Sequence, residues 1–220
     1  MSAKSSKGIT ICMTGDTSVA ASFTELAVTA VSKAKMAALT VAANPAKGGD
    51  VVTVAGTGFA ELDGKTFIAD ATSTATSLVL VGADTTATTG TITTASAKAK
   101  VFDKTNDTCL CLSALSINTD TPGTVSVGTY CDPTASIPAS ATQAGTLSFA
   151  GYVDVAAVDY PALLAAAEDG KQRIIRINLP GNGFIVAPVT VSSITWDLPL
   201  DGAVSFSGSA VLGSKPVHRF

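Results

Sequence analysis

The clearest hydrophobic pattern in the chain lies between residues 147 and 212, where apolar and polar positions alternate. An alternation with a period of two predicts half-buried β-strands, and it occurs in residues 147–155, 173–179, 189–198 and 203–212. Residues 159–170 instead predict a short helix, with Asp159 as N-cap, Pro161 in the first turn and Gly170 just past the end. The pattern therefore predicts a sheet with one apolar and one polar face, and a helix packed on the apolar face.

The two faces of this sheet can be assigned from the phase of the alternation. In residues 189–198 the phase changes at Ser192 and Ser193, and a β-bulge there would return the apolar positions to one face because it inserts one extra residue. The predicted core of the sheet is Ile175, Ile177, Val189, Val191, Ile194, Trp196, Val204 and Phe206. The opposite face carries hydroxyl groups and one carboxylate, from Thr190, Ser192, Thr195, Asp197, Ser205, Ser207 and Ser209.

The first half of the chain has a different character. Residues 1–22 predict a polar arm with a short strand, and residues 23–31 fit either a helix or a strand, with their β-branched residues favouring a strand. Residues 37–95 contain several short apolar runs separated by turn residues, which is typical of a small β-sandwich or barrel. Residues 118–145 contain three prolines and predict either an assembly loop or a surface excursion without a role.

The expected fold class is mainly β: a sandwich or half-barrel with one short helix packed on the sheet, plus a small all-β inserted domain. Residues 1–36 are expected to hold the arm and first strands of the main domain, 37–95 the inserted domain, and 96–220 the remainder of the main domain.

Composition indicates that much of the surface is covered by other molecules. Only 14% of the residues are charged and the mean hydropathy is +0.41, whereas about a quarter of the residues of a typical soluble domain are charged. The excess consists of Ala, Val, Thr and Ser, so we expect flat, small-residue surfaces that contact further copies of the chain. No apolar run reaches the ~18 residues of a membrane span, and residues 1–8 are not followed by the apolar segment of a secretion signal.

Charge and cysteine usage narrow the function classes further. The net charge is −3 and the cations are scattered, whereas tight nucleic-acid binding requires clustered cations. Without secretion, the four cysteines are expected to be reduced thiols that pack as small apolar side chains. Cys109 and Cys111 would share one face of a predicted strand, and the alternative is a zinc site that they form with Cys12 and Cys131.

Signatures of catalysis are missing from the sequence. His218, the single histidine, lies two residues from the C-terminus and offers no well-held base for a Ser-His-Asp relay. Neither Gly56-Thr-Gly58 nor Gly181-Asn-Gly183 has the third glycine of a dinucleotide site. The acidic residues of the second half lie mostly at predicted turns and helix ends, where capping and solvation are the expected roles. We therefore expect no enzyme activity, no cofactor and no metal.

Several of these elements together resemble the major tail tube protein of bacteriophages with long, non-contractile tails. The resemblance rests on Gly151-Tyr-Val-Asp154 leading into the helix, the Asn178-Leu-Pro turn, the late Ser-Phe-Ser-Gly-Ser strand and Tyr130-Cys-Asp132. It covers roughly residues 8–36 and 97–220. Residues 58–67 are similar to a small β module of many phage virion proteins, so residues 37–95 are expected to decorate the outside of the tube.

The resemblance implies a tail-tube fold and a structural role in the virion, with assembly in the host cytoplasm. Hexameric rings would join their sheets edge to edge into one barrel and would stack, with the N-terminal arm or residues 118–145 reaching a neighbouring ring. The implied partners are further copies of the chain, the tape-measure protein, the tail terminator and tail-tip proteins, and double-stranded DNA that passes without specific binding; no membrane is implied. Joined to the face assignment, the resemblance predicts that the hydroxyl face lines the channel.

Two other functions are alternatives to a tail tube subunit. An adhesin-like β protein of the cell surface would bind glycans through residues 37–95, but the missing secretion signal argues against it. A hydrolase with an unrecognised site is disfavoured because the single histidine lies so near the C-terminus.

Overall fold

The computed structural model describes residues 9–88, 96–119, 124–126, 136–138, 145–154 and 157–219. Within these residues the chain is mainly β, with a closed six-stranded barrel, a larger separate sheet and one α-helix, so the predicted fold class is confirmed. The strands in chain order are β1 (Thr10–Met13), β2 (Thr24–Val31), β3 (Ala38–Val41), β4 (Val51–Ala55), β5 (Lys65–Ala69), β6 (Ser77–Val81), β7 (Lys98–Phe102), β8 (Thr108–Leu110), β9 (Leu112–Asn118), β10 (Thr124–Ser126), β11 (Ser136–Pro138), β12 (Thr146–Tyr152), β13 (Gln172–Leu179), β14 (Gly183–Asp197), β15 (Ser205–Leu212) and β16 (Val217–Arg219). Helix α1 spans Asp159–Asp169, and 3₁₀ turns span Ala20–Ser22, Lys104–Asn106 and Pro180–Asn182.

The barrel closes in the strand order β2-β3-β6-β5-β4-β7 around its own apolar core, which includes Val28, Leu39 and Phe67. The segment that fitted either a helix or a strand is therefore a strand, β2. Because β2 and β7 pair with each other through Thr24 and Val101, the barrel extends beyond the expected range 37–95 at both ends. The division of the chain into domains stays a prediction.

The larger sheet has the strand order β8-β1-β13-β14-β15-β12-β9, and β16 pairs with the start of β14. All of these pairs are antiparallel. Strand β14 changes partners along its length, because β13 pairs with residues 183–190 and β15 pairs with residues 189–197. We call β9, β12, β15 and residues 191–197 of β14 the four-stranded section, and β8, β1, β13 and residues 183–190 of β14 the outer section.

The two sections share one hydrophobic core. Ile175 and Ile177 of the outer section belong to the same buried cluster as Phe149 and Phe206 of the four-stranded section, and Leu163 of α1 completes it. The apolar faces of the two sections are therefore turned toward each other, and their other faces point in opposite directions. A second cluster joins the barrel to the back of the outer section through buried residues on both sides, namely Val51, Ile68, Val81, Phe102, Ile174, Phe184 and Val186.

Helix α1 lies where the sequence predicted a helix and ends as predicted at Gly170, which has the left-handed φ of 60°. The predicted N-cap is wrong, because Val158 occupies the cap position and Asp159 is the first helical residue. The Asp159 carboxylate accepts a hydrogen bond of 2.8 Å from the backbone N–H of Cys111. It therefore ties the helix to the connection between β8 and β9 instead of capping its own helix.

The prediction of reduced cysteines is wrong for two of the four. Cys12 and Cys109 lie directly opposite each other on β1 and β8, and the two sulfurs form a disulfide. Both are thereby removed from the alternative zinc site. Cys111 is a free, exposed thiol between β8 and β9, so it does not share a strand with Cys109, and Cys131 lies outside the described residues.

Replacing Cys12 and Cys109 by serine is expected to lower the free energy of unfolding by about 2–5 kcal/mol, because the bridge closes a loop between residues 97 positions apart. Denaturant titration with and without reductant measures this effect. Reductant should destabilise the wild type and leave the double variant unchanged, and Cys111→Ser, which removes the exposed free thiol, serves as the control. A wild type that is indifferent to reductant would contradict the disulfide.

Candidate functional site

One face of the four-stranded section carries mostly small side chains (Ser, Thr and Ala) in rows across the strands, with the larger, exposed Val211 and Tyr152 in the flanking rows. Directly opposite side chains in an antiparallel sheet lie roughly 4.5–5.5 Å apart at Cβ, so each row forms a continuous strip. One row consists of Ser116, Ser148, Ser209 and Ser193, and the next of Ala114, Ala150, Ser207 and Thr195. We call this surface the hydroxyl face.

The predicted β-bulge is present, because the register between β14 and β15 shifts between Val191 and Ser193. It brings two serines against the same partner: the Ser192 hydroxyl donates to the Ser209 carbonyl oxygen at 2.9 Å, and the Ser193 and Ser209 Oγ atoms lie 2.8 Å apart. The hydroxyl groups of these three serines thus bond within the protein, and none of them carries a charge.

The pairing register brings the seven residues predicted for the polar face together. Asp197 lies opposite Ser205, Thr195 lies opposite Ser207, and Thr190 lies one row beyond Ser209. Asp197 is the only charged side chain in these rows. Ser116 and Ser148 continue the row on β9 and β12 and were not among the predicted residues. Their alternation with apolar neighbours is visible in the sequence, but their position beside Ser209 depends on the strand order.

The predicted core residues fall into three groups: buried, partly buried and, for Trp196 alone, exposed. Ile175, Ile177, Val189, Val191 and Phe206 are buried, whereas Ile194 and Val204 are only partly buried. Val204 precedes the first residue of β15.

The core assignment of Trp196 is wrong, because its exposed fraction is 49%. Trp196 lies in the part of β14 beyond the last residue that pairs with β13, so the outer section does not extend beside it. Its indole Nε1 donates a 2.6 Å hydrogen bond to the Tyr160 hydroxyl, and the Tyr160 ring packs against Phe206 with centroids 5.3 Å apart.

The four-stranded section ends in two open edges. In the described part of the chain, β9 pairs only with β12, and residues 191–197 of β14 pair only with β15. The unpaired N–H and C=O groups of an edge strand are a template for pairing with another chain. Both edges lie on the section that carries the hydroxyl face.

An apolar groove lies beside the β9 edge, on the side of the sheet opposite the hydroxyl face. Its volume is about 520 Å³, and no charged side chain lines it. The apolar lining comes from β9 and from the end of the outer section, with Ile9, Ile11, Leu112, Leu115, Ile117, Ile177, Leu179 and Ile185.

Arg176 of the outer section forms a buried ion pair and also a hydrogen bond to the segment just before the barrel strand β4. Arg176 of β13 donates to the Gly49 carbonyl oxygen at 2.7 Å, and its Nη2 lies 3.0 Å from the Asp107 Oδ2. The side chains of Arg176 and Asp107 are 9% and 2% exposed. Burial raises the pKa of Asp107 to about 6, against the opposing effect of the nearby Arg176 cation.

The residues that the structure describes contain no cluster of three or more His, Cys, Asp or Glu side chains that could hold a metal ion. They also contain no helix of the length and apolar character needed to cross a membrane.

No model of a known protein family matches the sequence, and no curated protein matches it. Three solved structures are similar to about half of the chain. The tail of an empty GTA particle, computed by helical refinement with C6 symmetry, is 18% identical over 54% of this chain and 92% of that chain, with a TM-score of 0.41. The virion of a native gene transfer agent is 16% identical over the same shares, also with a TM-score of 0.41. The SPP1 tail tube is 13% identical over 50% of this chain and 64% of that chain, with a TM-score of 0.39.

Proposed function

We propose that the chain is a structural subunit of a phage-type tail tube, in which copies join edge to edge around a channel lined by the hydroxyl face. The observation that carries this proposal is the match between the two open edges of the four-stranded section. Strand β9 is seven residues long, and residues 191–197 of β14 offer an edge of the same length.

The directions of the two edges also match. The steps from β14 to β15, from β15 to β12 and from β12 to β9 are each antiparallel, so β9 runs antiparallel to β14. Rotation about a ring axis keeps the direction of each strand along that axis. Strand β9 of one copy would therefore run antiparallel to residues 191–197 of the next copy, and a closed ring would leave neither of these two edges open.

The packing of the two sections supports the hydroxyl face as the inner wall. The outer section covers the apolar side of the four-stranded section, and the barrel packs on the back of the outer section. A ring with the hydroxyl face inside would place all of these elements outside, including the barrel as an outer decoration. A ring with the hydroxyl face on the outside would instead have to fit the outer section and the barrel into its channel.

The chemistry of the hydroxyl face suits the passage of DNA. Proteins hold duplex DNA mainly through cations that displace its counterions. The rows of the hydroxyl face carry no cation, and their single charged side chain is the carboxylate of Asp197. The proposal also includes hexameric rings that stack into a virion tail, and genome release through the channel. Its partners are the tape-measure, terminator and tip proteins, and assembly takes place in the host cytoplasm. These parts follow from the sequence resemblance, and the role is structural, not enzymatic.

Assembly of the purified chain tests the proposal. With rising protein concentration, electron microscopy should show rings and hollow tubes, and hydrogen exchange should show new protection of the amides in residues 112–118 and 191–197. The amides of β3 are the internal control, because β3 is paired on both sides within the closed barrel.

Discrete monomers at every concentration would contradict a tube subunit, and glycan retention by them would favour the adhesin-like alternative. Tubes in which the two edges stay unprotected would contradict the edge-to-edge contact.

A further inference from the structure

We infer that Trp196 of one copy fills the apolar groove beside β9 of the next copy, so that an indole ring anchors each contact within a ring. This inference rests on the edge-to-edge assembly proposed above and adds the side chain that gives the contact its strength.

The groove is placed where a neighbouring copy would arrive. Its near wall consists of Leu112, Leu115 and Ile117, which belong to β9, the strand with the open edge. Leu115 and Ile117 pair with Phe149 and Leu147, two buried residues of the shared core. The groove is therefore a continuation of the hydrophobic core, open at the side where β9 lacks a partner strand in the described part of the chain.

Trp196 has the matching properties on the other open edge. It lies within residues 191–197, and about half of its surface is exposed. Its N–H group is already bonded to Tyr160, so further burial of the indole would leave no donor without an acceptor. A large aromatic side chain whose polar atom is satisfied gains from an apolar partner without losing a hydrogen bond.

The two features come together when the edges pair. Trp196 lies opposite Phe206 and Ile194 lies opposite Gly208, so both point to the apolar face of the four-stranded section. Leu115 and Ile117 of β9 point to that same face. In a sheet that continues from β9 into β14 of the next copy, these side chains would be cross-strand neighbours, and adjacent apolar pairs of this kind stabilise sheets.

The fluorescence of the chain tests the inference directly, since Trp196 is the single tryptophan. Assembly of the wild type should shift its emission to shorter wavelength and reduce quenching by acrylamide, because the exposed part of the indole leaves water. Assembly without either change would overturn the inference.

Substitution supplies a second test, with the concentration of half-assembly as the measurement. Trp196→Ala should raise this concentration by about 30-fold or more, the loss typical of an aromatic hot spot, and Trp196→Phe should raise it less. Leu200→Ala is the matched control: Leu200 is fully exposed but lies beyond the end of β14, so its loss should leave assembly unchanged. Circular dichroism of the monomers shows whether each variant folds.

A double-mutant cycle identifies what fills the groove. If Trp196 contacts Leu115 of the next copy, Trp196→Ala and Leu115→Ala should be non-additive in their effect on assembly. Additive effects would mean that another occupant, such as a further segment of the same chain, fills the groove, and the inference would be overturned. Failure of the wild type to assemble at all would instead contradict the proposed function, so the two failures are distinguishable.

Discussion

Replacing Arg176 by methionine is expected to lower the free energy of unfolding by about 3–5 kcal/mol at pH 7.5, the range found when one partner of a buried ion pair is removed. Methionine keeps much of the volume of the arginine stem, but it leaves the Asp107 carboxylate buried without a cation and the Gly49 carbonyl oxygen without its donor. Because Arg176 belongs to the outer section and Gly49 lies just before the barrel strand β4, the variant should also loosen the attachment of the barrel. Denaturant titration gives the first effect, and hydrogen exchange at residues 47–51 gives the second.

The pH dependence of the stability lost in Arg176→Met shows whether the loss comes from an unpaired buried charge or only from poorer packing. Desolvation raises the pKa of Asp107 to about 6 even beside Arg176, and removal of the cation would raise it further. As the pH falls through 6 and below, Asp107 takes up a proton and no longer needs a counter-charge. The loss caused by Arg176→Met should therefore shrink between pH 7.5 and pH 5.

The same pKa determines how the stability of the wild type changes with pH. The folded state binds the Asp107 proton at about pH 6 and the unfolded state at about pH 3.9, so this group contributes stability at low pH that is lost as the pH rises through 6. Asp16 acts in the opposite sense, because hydrogen bonds from Lys171 and Ser18 hold the pKa of its carboxyl far below its usual range. Its contribution is lost as the pH falls.

Two controls accompany the Arg176 variant. The double variant Arg176→Met/Asp107→Leu removes both charges and should recover most of the stability. Lys171→Met breaks an ion pair with Asp16 in which the lysine side chain is half exposed, and it should cost much less. An Arg176 variant that loses no more than the Lys171 variant would contradict the assigned role of the buried pair.

The sequence predicted those features that depend on neighbouring residues. The alternation of residues 147–155 and 203–212 located β12 and β15, and the local change of phase at Ser192 located the bulge. The end of α1 at Gly170 also depends on neighbouring residues only, since a glycine in the left-handed conformation ends the helix. The polar rows on β14 and β15 followed from the same alternation.

The features that depend on long-range register could not be read in this way. The exposure of Trp196 is decided by where β13 begins, at Gln172 opposite Thr190, and the sequence of β14 does not contain that information. The disulfide depends on the pairing of β1 with β8, and the extent of the barrel depends on the pairing of β2 with β7. Strand β14 also begins before the expected residue 189, because Pro188 is accommodated inside it.

If the hydroxyl face lines the channel as proposed, replacing Thr195 and Ser207 by lysine is expected to make the tubes retain DNA while they keep their normal length. The two residues are exposed and lie opposite each other on β14 and β15, so the change adds two cations per copy without touching the buried core. Ser209 is left intact because its hydroxyl binds Ser192 and Ser193. Binding that neutralises 6–10 phosphates weakens by roughly 10³–10⁵ between 50 and 200 mM salt. Assembled tubes incubated with linear duplex should thus retain nuclease-protected DNA at 50 mM salt and release it at 200 mM, whereas wild-type tubes should retain none.

The matched control places the same two charges on the barrel. Ala30 and Thr40 are also exposed and lie opposite each other, on β2 and β3, so Ala30→Lys/Thr40→Lys changes the net charge equally and introduces the same repulsion between neighbouring lysines. If the barrel lies outside the tube, any DNA that this variant binds stays open to nuclease, because it is bound on the outer surface. Protection in the Thr195/Ser207 variant alone would place the hydroxyl face inside the channel. If that variant instead folds as a monomer and fails to form tubes, the hydroxyl face is a contact between copies and not a free wall, and the assignment of the channel must be given up.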